Sequence, residues 1–260
     1  IRDCLLSRGL GDVYKRRTQS LHHNAFAFQT AFQAGALHII RMPKKFTQPK
    51  LHPAPCSFST PILVPTKNGP ELVMNYPGSL AGIDPRTGKR LWQCRGLNPL
   101  IYSSPIAGEN VVVGMGGYFG TSVAVTAGGR GDVTPQTLWR TERTPNRLGS
   151  GVIYQGHIYV LNTNGIMECL NLKTGEVQFS ERVRGRGPKQ ESWSSMILAG
   201  DRIYIPNQSG ETIVLRANPK FELLGINALD GILTNSSLAA SDGQLFLRTH
   251  QHLWCIGKRR

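Results

Sequence analysis

The chain has 260 residues, of which 40% are hydrophobic, and a formal net charge of +14 at pH 7. It contains no run of eighteen apolar residues, so no membrane-spanning helix is expected. The cysteines include no Cys-x-x-Cys pair, so a zinc or dithiol site has no support, and spacing does not fix any pairing among Cys4, Cys56, Cys94, Cys169 and Cys255.

Residues 1–50 form a basic, atypical N-terminal flank. They hold nine Lys or Arg residues against two Asp, and the resulting charge of +7 is half of the total. Such a segment can act as a basic arm for an anionic surface or a nucleic acid. The alternatives are a poorly ordered flank or a divergent copy of the repeat that follows. Because no nucleic-acid-binding motif accompanies the charge, no nucleic-acid partner is expected.

A nine-residue turn motif occurs twice, at residues 84–92 and 171–179. Each copy has an Asx residue, a Thr-Gly pair and an aromatic residue four positions after the glycine. An Asx side chain can accept a hydrogen bond from the backbone two residues on, and glycine supplies the left-handed conformation that ends a hairpin loop. We therefore assign a structural role to six residues: Asp84, Gly88, Trp92, Asn171, Gly175 and Phe179.

A second marker, a hydroxyl residue before an apolar run, gives the length of the repeat. The markers are Thr60, Ser104, Ser150, Ser195 and Ser237, separated by 44, 46, 45 and 42 residues. Each is followed by a turn, a short β-branched or aromatic strand, and further strands. One hydroxyl in every unit indicates a structural group and argues against a nucleophile.

Units of about 40–50 residues with four short strands are typical of propeller blades. A β-sandwich has no reason to repeat at this interval, and a β-helix repeats at much shorter intervals. The sequence therefore predicts an all-β fold, a β-propeller of four-stranded antiparallel blades, over residues 51–260.

Three motifs carry a resemblance to a known family. They are Asp84-x-x-Thr87-Gly88-Lys89-x-x-Trp92, the Ser-Ser-Pro at residues 103–105, and the paired endings at residues 245–249 and 253–257. Over about residues 56–258 the chain resembles the pyrroloquinoline-quinone-like β-propeller repeat family, and its spacing is similar to that of secreted repeat proteins of planctomycete-type bacteria. The family includes quinone-dependent dehydrogenases, the outer-membrane assembly scaffold lipoprotein, and propellers without an assigned role.

The resemblance also bears on completeness and location. Rings in this family usually close with seven or eight blades, whereas five markers supply about five. We expect an incomplete or open arc, with the missing blades upstream because the C-terminal motif resembles a genuine end. The resemblance implies export to the periplasm or cell surface, although no signal sequence is visible in this chain.

An enzymatic role has little support in the residues. A quinone-dependent dehydrogenase needs oxygen ligands for a metal ion, a carboxylate base and stacking walls, and in the family one wall is a disulfide between adjacent cysteines, which this chain lacks. The Gly-rich segment 114–117 indicates a hairpin, and His250 and His252 lack a third metal ligand. We predict no catalytic, cofactor-binding or metal-binding residues, after considering the carboxylates Glu168, Asp201, Glu211, Asp230 and Asp242.

The candidate binding site is a basic loop between two blades. Arg182, Arg184, Arg186 and Lys189 exceed what a tight turn needs, and Trp193 follows them. Planar Arg side chains can hold carboxylates or sulfates in two-point contacts. The alternative is a solvated face, with Trp193 as the buried aromatic residue of the next strand.

The sequence thus favours a non-catalytic, exported propeller that serves as a binding or assembly scaffold. Its expected partner is a protein or a polyanionic surface ligand at a propeller rim, with no cofactor. Two alternatives stay open: a degenerate or truncated quinone-dependent oxidoreductase, and an anion or nucleic-acid binder acting through residues 1–50.

Overall fold

Twenty β-strands and one 3₁₀ turn, Thr134–Gln136, form the regular structure of residues 57–117, 120–142 and 146–257, which are the residues described in a computed structural model. All of them belong to one compact unit, Ile40–Arg260. The basic flank, residues 1–50, lies outside the described residues, as do Cys4 and Cys56.

The strands form five sheets, blades 1 to 5, one for each repeat. Blade 1 contains β1 (Ile62–Val64), β2 (Glu71–Tyr76), β3 (Ser79–Ile83) and β4 (Arg90–Arg95). Blade 2 contains β5 (Ile106–Gly108), β6 (Val111–Met115), β7 (Ser122–Thr126) and β9 (Trp139–Thr141), while β8 (Gly131–Asp132) pairs in parallel with β4. Blade 3 contains β10 (Val152–Tyr154), β11 (His157–Leu161), β12 (Ile166–Asn171) and β13 (Val177–Arg182). Blade 4 contains β14 (Ile197–Ala199), β15 (Arg202–Pro206), β16 (Glu211–Arg216) and β17 (Leu223–Ala228). Blade 5 contains β18 (Ala239–Ser241), β19 (Gln244–Arg248) and β20 (Leu253–Ile256).

The core lies between neighbouring blades. Second and third strands supply most of it, as in β6, where all five residues are buried, whereas the fourth strand β13 has no buried residue. One cluster joins blades 1 and 2 and includes Trp92 and Val112, and another joins blades 3 and 4 and includes Met167 and Ile203. Apolar residues therefore need not alternate strictly, because both faces of a blade are covered.

The repeated hydroxyl marker joins each blade to the next. The backbone N–H of Thr60 donates to Ser104 Oγ at 2.9 Å, and that of Ser104 donates to Ser150 Oγ at 2.9 Å. The series continues from Ser150 to Ser195 at 3.0 Å and from Ser195 to Ser237 at 2.9 Å. These bonds run along the edge formed by the first strands, which we call the inner edge.

The repeated turn has the expected hydrogen bond and the expected glycine conformation in both copies. Asp84 Oδ1 accepts the N–H of Arg86 at 2.8 Å, and Asn171 Oδ1 accepts that of Lys173 at 2.9 Å. Gly88 and Gly175 have φ angles of 70° and 73°, in the left-handed region where glycine is favoured.

Two aromatic residues contact the following blade. Trp139, from the fourth strand of blade 2, donates from Nε1 to the carbonyl of Leu172 at 2.8 Å in blade 3. Phe179 of blade 3 meets Phe221 of blade 4 edge-on, with ring centroids 5.6 Å apart. Trp92 instead lies within blade 1 on Gly82, where a Cβ would overlap its ring, and donates to Glu71 Oε2 at 2.7 Å.

Each blade has two rims. The turns between strands 1 and 2 and between strands 3 and 4 form one rim, the turn face. The hairpins between strands 2 and 3 form the other, the connection face, together with the segments that link the blades. There, the N–H of Gln208 donates to the carbonyl of Glu191 at 2.9 Å, and the carbonyl of Gln208 accepts the N–H of Thr234 at 3.2 Å. The blade 4 hairpin is thereby held by the linking segments on both sides.

The five blades form an incomplete propeller. No backbone hydrogen bond between described residues joins blade 1 to blade 5, and no sheet combines their strands. The predicted all-β propeller, an open arc of about five blades, is confirmed. The long connection in blade 2 that carries β8 was not predicted.

Candidate functional site

The basic loop between blades 3 and 4 wraps around a hairpin of blade 4. The hairpin is residues 207–210 and the loop, which we call the anchored loop, is residues 182–193. The N–H of Lys189 donates to Ser209 Oγ at 2.8 Å, and that hydroxyl donates to the carbonyl of Lys189 at 3.0 Å. With the bond from Gln208 to Glu191, these contacts fix the C-terminal half of the loop.

Glu211 fixes the middle of the anchored loop. Its carboxylate is buried and accepts the backbone N–H groups of Arg186 at 2.8 Å and Gly187 at 3.0 Å, together with Asn207 Nδ2 at 2.7 Å. Burial alone would raise the pKa of Glu211. The three hydrogen bonds and the charge of Arg186 outweigh it and lower the pKa below its ordinary value. The anchor is therefore charged at neutral pH.

Two glycines allow the loop to approach the hairpin this closely. A Cβ on Gly185 would overlap the Glu211 carboxylate, and a Cβ on Gly187 would overlap the side chain of Ser209. The N–H of Gly185 also donates to Gln190 Oε1 at 2.6 Å, inside the loop. The glycines thus serve close packing against blade 4.

The anchored loop exposes the four cations that the sequence singled out. Arg182, Arg184, Arg186 and Lys189 are all exposed, and none forms an ion pair with any described residue. Arg182 donates from Nη1 to the carbonyl of Asn164 at 2.8 Å. The loop presents a fixed backbone, with four exposed cations that have no ion pair with a described residue.

Trp193 lies at the end of the anchored loop and is 49% exposed. Its neighbours are buried: Ser192 Oγ donates to the carbonyl of Pro206 at 2.7 Å, and Ser194 Oγ donates to that of Ser236 at 2.9 Å. The alternative that Trp193 is a core residue of the next strand is therefore wrong, since an apolar ring faces solvent beside the cations.

Sequence reasoning missed the anchor itself. Glu211 is 24 and 25 residues from the N–H groups that it binds, so no local pattern reveals the contact. A usable signal was the pair of glycines on either side of Arg186, because a loop that needs both small residues and large cations is packed on one side.

The carboxylates considered for quinone chemistry lie apart, each with its own contacts. Half-buried Glu168 pairs with buried Arg147, Asp201 pairs with Arg216 at 2.5 Å, and Asp230 Oδ2 lies 2.7 Å from His252 Nδ1. Nowhere in the described ranges do three or more His, Cys, Asp or Glu side chains converge as metal ligands.

The remaining candidates from the sequence are the glycine-rich segment and the cysteines. The segment 114–117 ends β6 and opens a hairpin, as expected. Cys94 and Cys169 are buried and free, and Cys255 is free and exposed. None of the helices in the described ranges is long and apolar enough to cross a membrane.

Comparisons with known proteins identify relatives of this fold. The family model described as outer membrane protein assembly factor BamB matches residues 48–177 and 77–231. Curated proteins give no significant match. BamB from Moraxella catarrhalis is similar over 75% of this chain and 56% of its own, with 14% identity and a TM-score of 0.56. A europium-containing methanol dehydrogenase is similar over 68% of this chain and 46% of its own, with 9% identity and a TM-score of 0.51. The chain spans about half the length of these two proteins, and the likeness concerns the fold.

Proposed function

Because the chain belongs to the PQQ-like propeller family whose model is described as outer membrane protein assembly factor BamB, we propose that it is a non-catalytic scaffold for protein partners. Its site is the connection face around the anchored loop: Arg182, Arg184, Arg186, Lys189 and Trp193. The proposed location is the periplasm or the cell surface, in line with an outer-membrane assembly factor.

The observation that carries the proposal is a hydrogen-bonded loop whose four exposed cations form no ion pair with a described residue. Buried Glu211 holds the backbone at Arg186 and Gly187 through two hydrogen bonds. A loop ordered before binding loses less entropy when a partner docks. Arg and Trp are also the residues that most often dominate binding energy at protein interfaces. The site therefore combines the chemistry of an interface with a backbone that is already in place.

The partner should present carboxylates to the loop. Exposed Arg side chains give little stability to the free protein, but their planar groups make two hydrogen bonds to one carboxylate when a partner excludes water. Binding through these groups should weaken as ionic strength rises, since exposed charges are screened within about 10 Å at 0.1 M salt.

The test compares equal charge changes on the two faces. In the loop variant, Arg184 and Arg186 are changed to Glu. In the control variant, Arg86 and Lys89 are changed to Glu, because these exposed residues lie in the repeated turn on the turn face. A photo-crosslinking residue replaces exposed Glu191, and crosslinking is carried out in intact cell envelopes of the source organism.

We expect discrete crosslinked proteins with the native charges and with the turn-face variant, and their loss with the loop variant. Crosslinks that survive in the loop variant would contradict the proposed site. Dye-linked alcohol oxidation after addition of the quinone and calcium would contradict a non-catalytic role.

A further inference from the structure

A second set of residues borders the anchored loop, one from each blade. Two positions before each marker the chain has Phe58, Tyr102, Leu148, Trp193 and Asn235. We call this set the mouth strip. Four of its five members are apolar or aromatic, although the position lies in a linking segment and not in a strand.

Burial alternates around the mouth strip. The residue before it is buried in blades 2 to 5, as with Arg147 and Ser192, and the residue after it is buried in blades 1, 2 and 4, as with Ser194. Phe58 and Trp193 are each 49% exposed between such neighbours. Phe58 and Trp193 therefore point away from the blades on the connection face, whereas Tyr102 is half-buried and its ring packs on Gly117 of the blade 2 hairpin.

Contacts between blades connect the segments that carry the strip. Phe58 donates its N–H to the carbonyl of Ile101 at 2.9 Å, and its ring stacks on Tyr102 with centroids 5.3 Å apart and planes 11° from parallel. Further along, Gly149 packs against the carbonyl of Ser194, and Ser194 Oγ binds the carbonyl of Ser236. The segments that carry the strip thus lie side by side from blade to blade.

The charge beside the strip is positive. The anchored loop contributes four cations from residue 182 to residue 189, and Glu191 is the acidic residue between them and Trp193. Trp193 is both the last residue of the loop and a member of the strip, so the cations and the apolar surface are continuous. An occupant must therefore supply apolar side chains and negative charge along one extended face.

We propose that the mouth strip and the anchored loop together bind an extended peptide segment in which acidic and apolar side chains are interspersed. The proposal rests on the scaffold function and adds the class of ligand. Aliphatic Leu148 in the middle of the strip offers no ring face on which a sugar could stack, but it packs against any apolar side chain. An extended chain also turns successive side chains to opposite sides, so it can direct its apolar groups to the strip.

The test uses short synthetic peptides and the full chain. In the first peptide Asp or Glu is interspersed with Leu or Phe. In the second, Ser replaces the apolar residues, and in the third, Lys replaces the acidic ones. Binding is measured by fluorescence anisotropy of a dye on the peptide, for the native chain, Trp193→Ala, Trp193→Phe and the pair Arg184→Glu with Arg186→Glu.

We expect only the acidic and apolar peptide to bind. Trp193→Ala should weaken binding about tenfold or more, as for an aromatic anchor at an interface, while Trp193→Phe should recover most of it. The double Arg variant should bind weakly and lose its dependence on salt.

Equal binding of the Ser peptide would overturn the proposal in favour of a general polyanion site. An unchanged affinity in Trp193→Ala would also overturn it. So would a sulfated polysaccharide that displaces the peptide equally well from the native chain and from Trp193→Ala. If no peptide binds the native chain while the envelope crosslinks persist, the peptide proposal fails and the scaffold function stands.

Discussion

Glu211→Gln tests whether one buried carboxylate fixes the binding loop. The substitution keeps the size of the side chain and keeps one oxygen opposite the N–H groups of Arg186 and Gly187. It places an amide nitrogen opposite Asn207 Nδ2, which now has no acceptor. Asn207 cannot reverse its amide without loss, because its Oδ1 already accepts the N–H groups of Ser209 at 3.0 Å and of Glu211 at 3.1 Å.

The expected cost follows from these contacts. A hydrogen bond to a charged group contributes about 1.5–3 kcal/mol net and one between neutral groups about 0.5–1.5 kcal/mol. The substitution removes one charged bond and turns two others into neutral ones. We therefore expect a loss of about 3.5–6 kcal/mol, confined to the loop and its hairpin.

Hydrogen exchange measures this loss directly. The amides of Arg186 and Gly187 should exchange faster in Glu211→Gln by roughly several hundredfold or more, because their opening free energy falls by the loss given above. The amide of Gly88, which donates to the Asp84 carbonyl at 2.8 Å in blade 1, serves as the internal control. Unchanged exchange at Arg186 and Gly187 would refute the anchoring role of Glu211.

The same amides should report a dependence on pH. Glu211 has a pKa below its ordinary value of 4.5 in the folded chain. A lowered folded pKa means that the carboxylate contributes stability at pH values above 4.5, and that this contribution is lost as pH falls through the folded pKa. After correction for the intrinsic rates of amide exchange, the protection of the Arg186 amide should be constant at pH values above 4.5 and should fall at lower pH.

Three further predictions concern packing and the joints between blades. Gly185→Ala should displace the loop and lower the thermal midpoint, whereas Gly225→Ala, whose added methyl group meets nothing within 4 Å, should not. Ser150→Ala should lower the free energy of unfolding in urea by about 1–3 kcal/mol, because it leaves the backbone N–H of Ser104 without its acceptor. Ser180→Ala, on the exposed fourth strand of blade 3, should change that free energy little. Trp139→Phe should lower the free energy of unfolding by about 1 kcal/mol, because it removes the hydrogen bond to the Leu172 carbonyl of blade 3. An unchanged free energy of unfolding would show that this bond is dispensable.

The fold could be predicted because its determinants recur at a fixed interval. Ser104, Ser150 and Ser195 are recognisable because each copy supports the others, and their bonds give the repeat a physical cause. The connection that carries β8 has no counterpart in the other blades. Its pairing with β4 depends on a contact between blades 1 and 2 that no periodic pattern encodes.

The candidate site was only partly predictable. The exposed cations follow from composition, because a loop with so many charges cannot be buried. The exposure of Trp193 does not follow, because an aromatic residue before a strand is compatible with a core position or a surface position. Its position depends on the alternation of buried and exposed residues that the flanking serines set. This alternation is visible only when the five linking segments are aligned on their markers.

The bonds between the markers also have a consequence for how such a chain can change in length. Each of the three middle repeats carries the N–H of one joint and the hydroxyl of another, and all four bonds point in the same direction along the chain. Duplication of one unit in the gene would therefore place a complete joint on both sides of the copy, and deletion of one unit would rejoin its neighbours in the same way. Gain or loss of a whole blade requires no new interface, whereas gain or loss of part of one does.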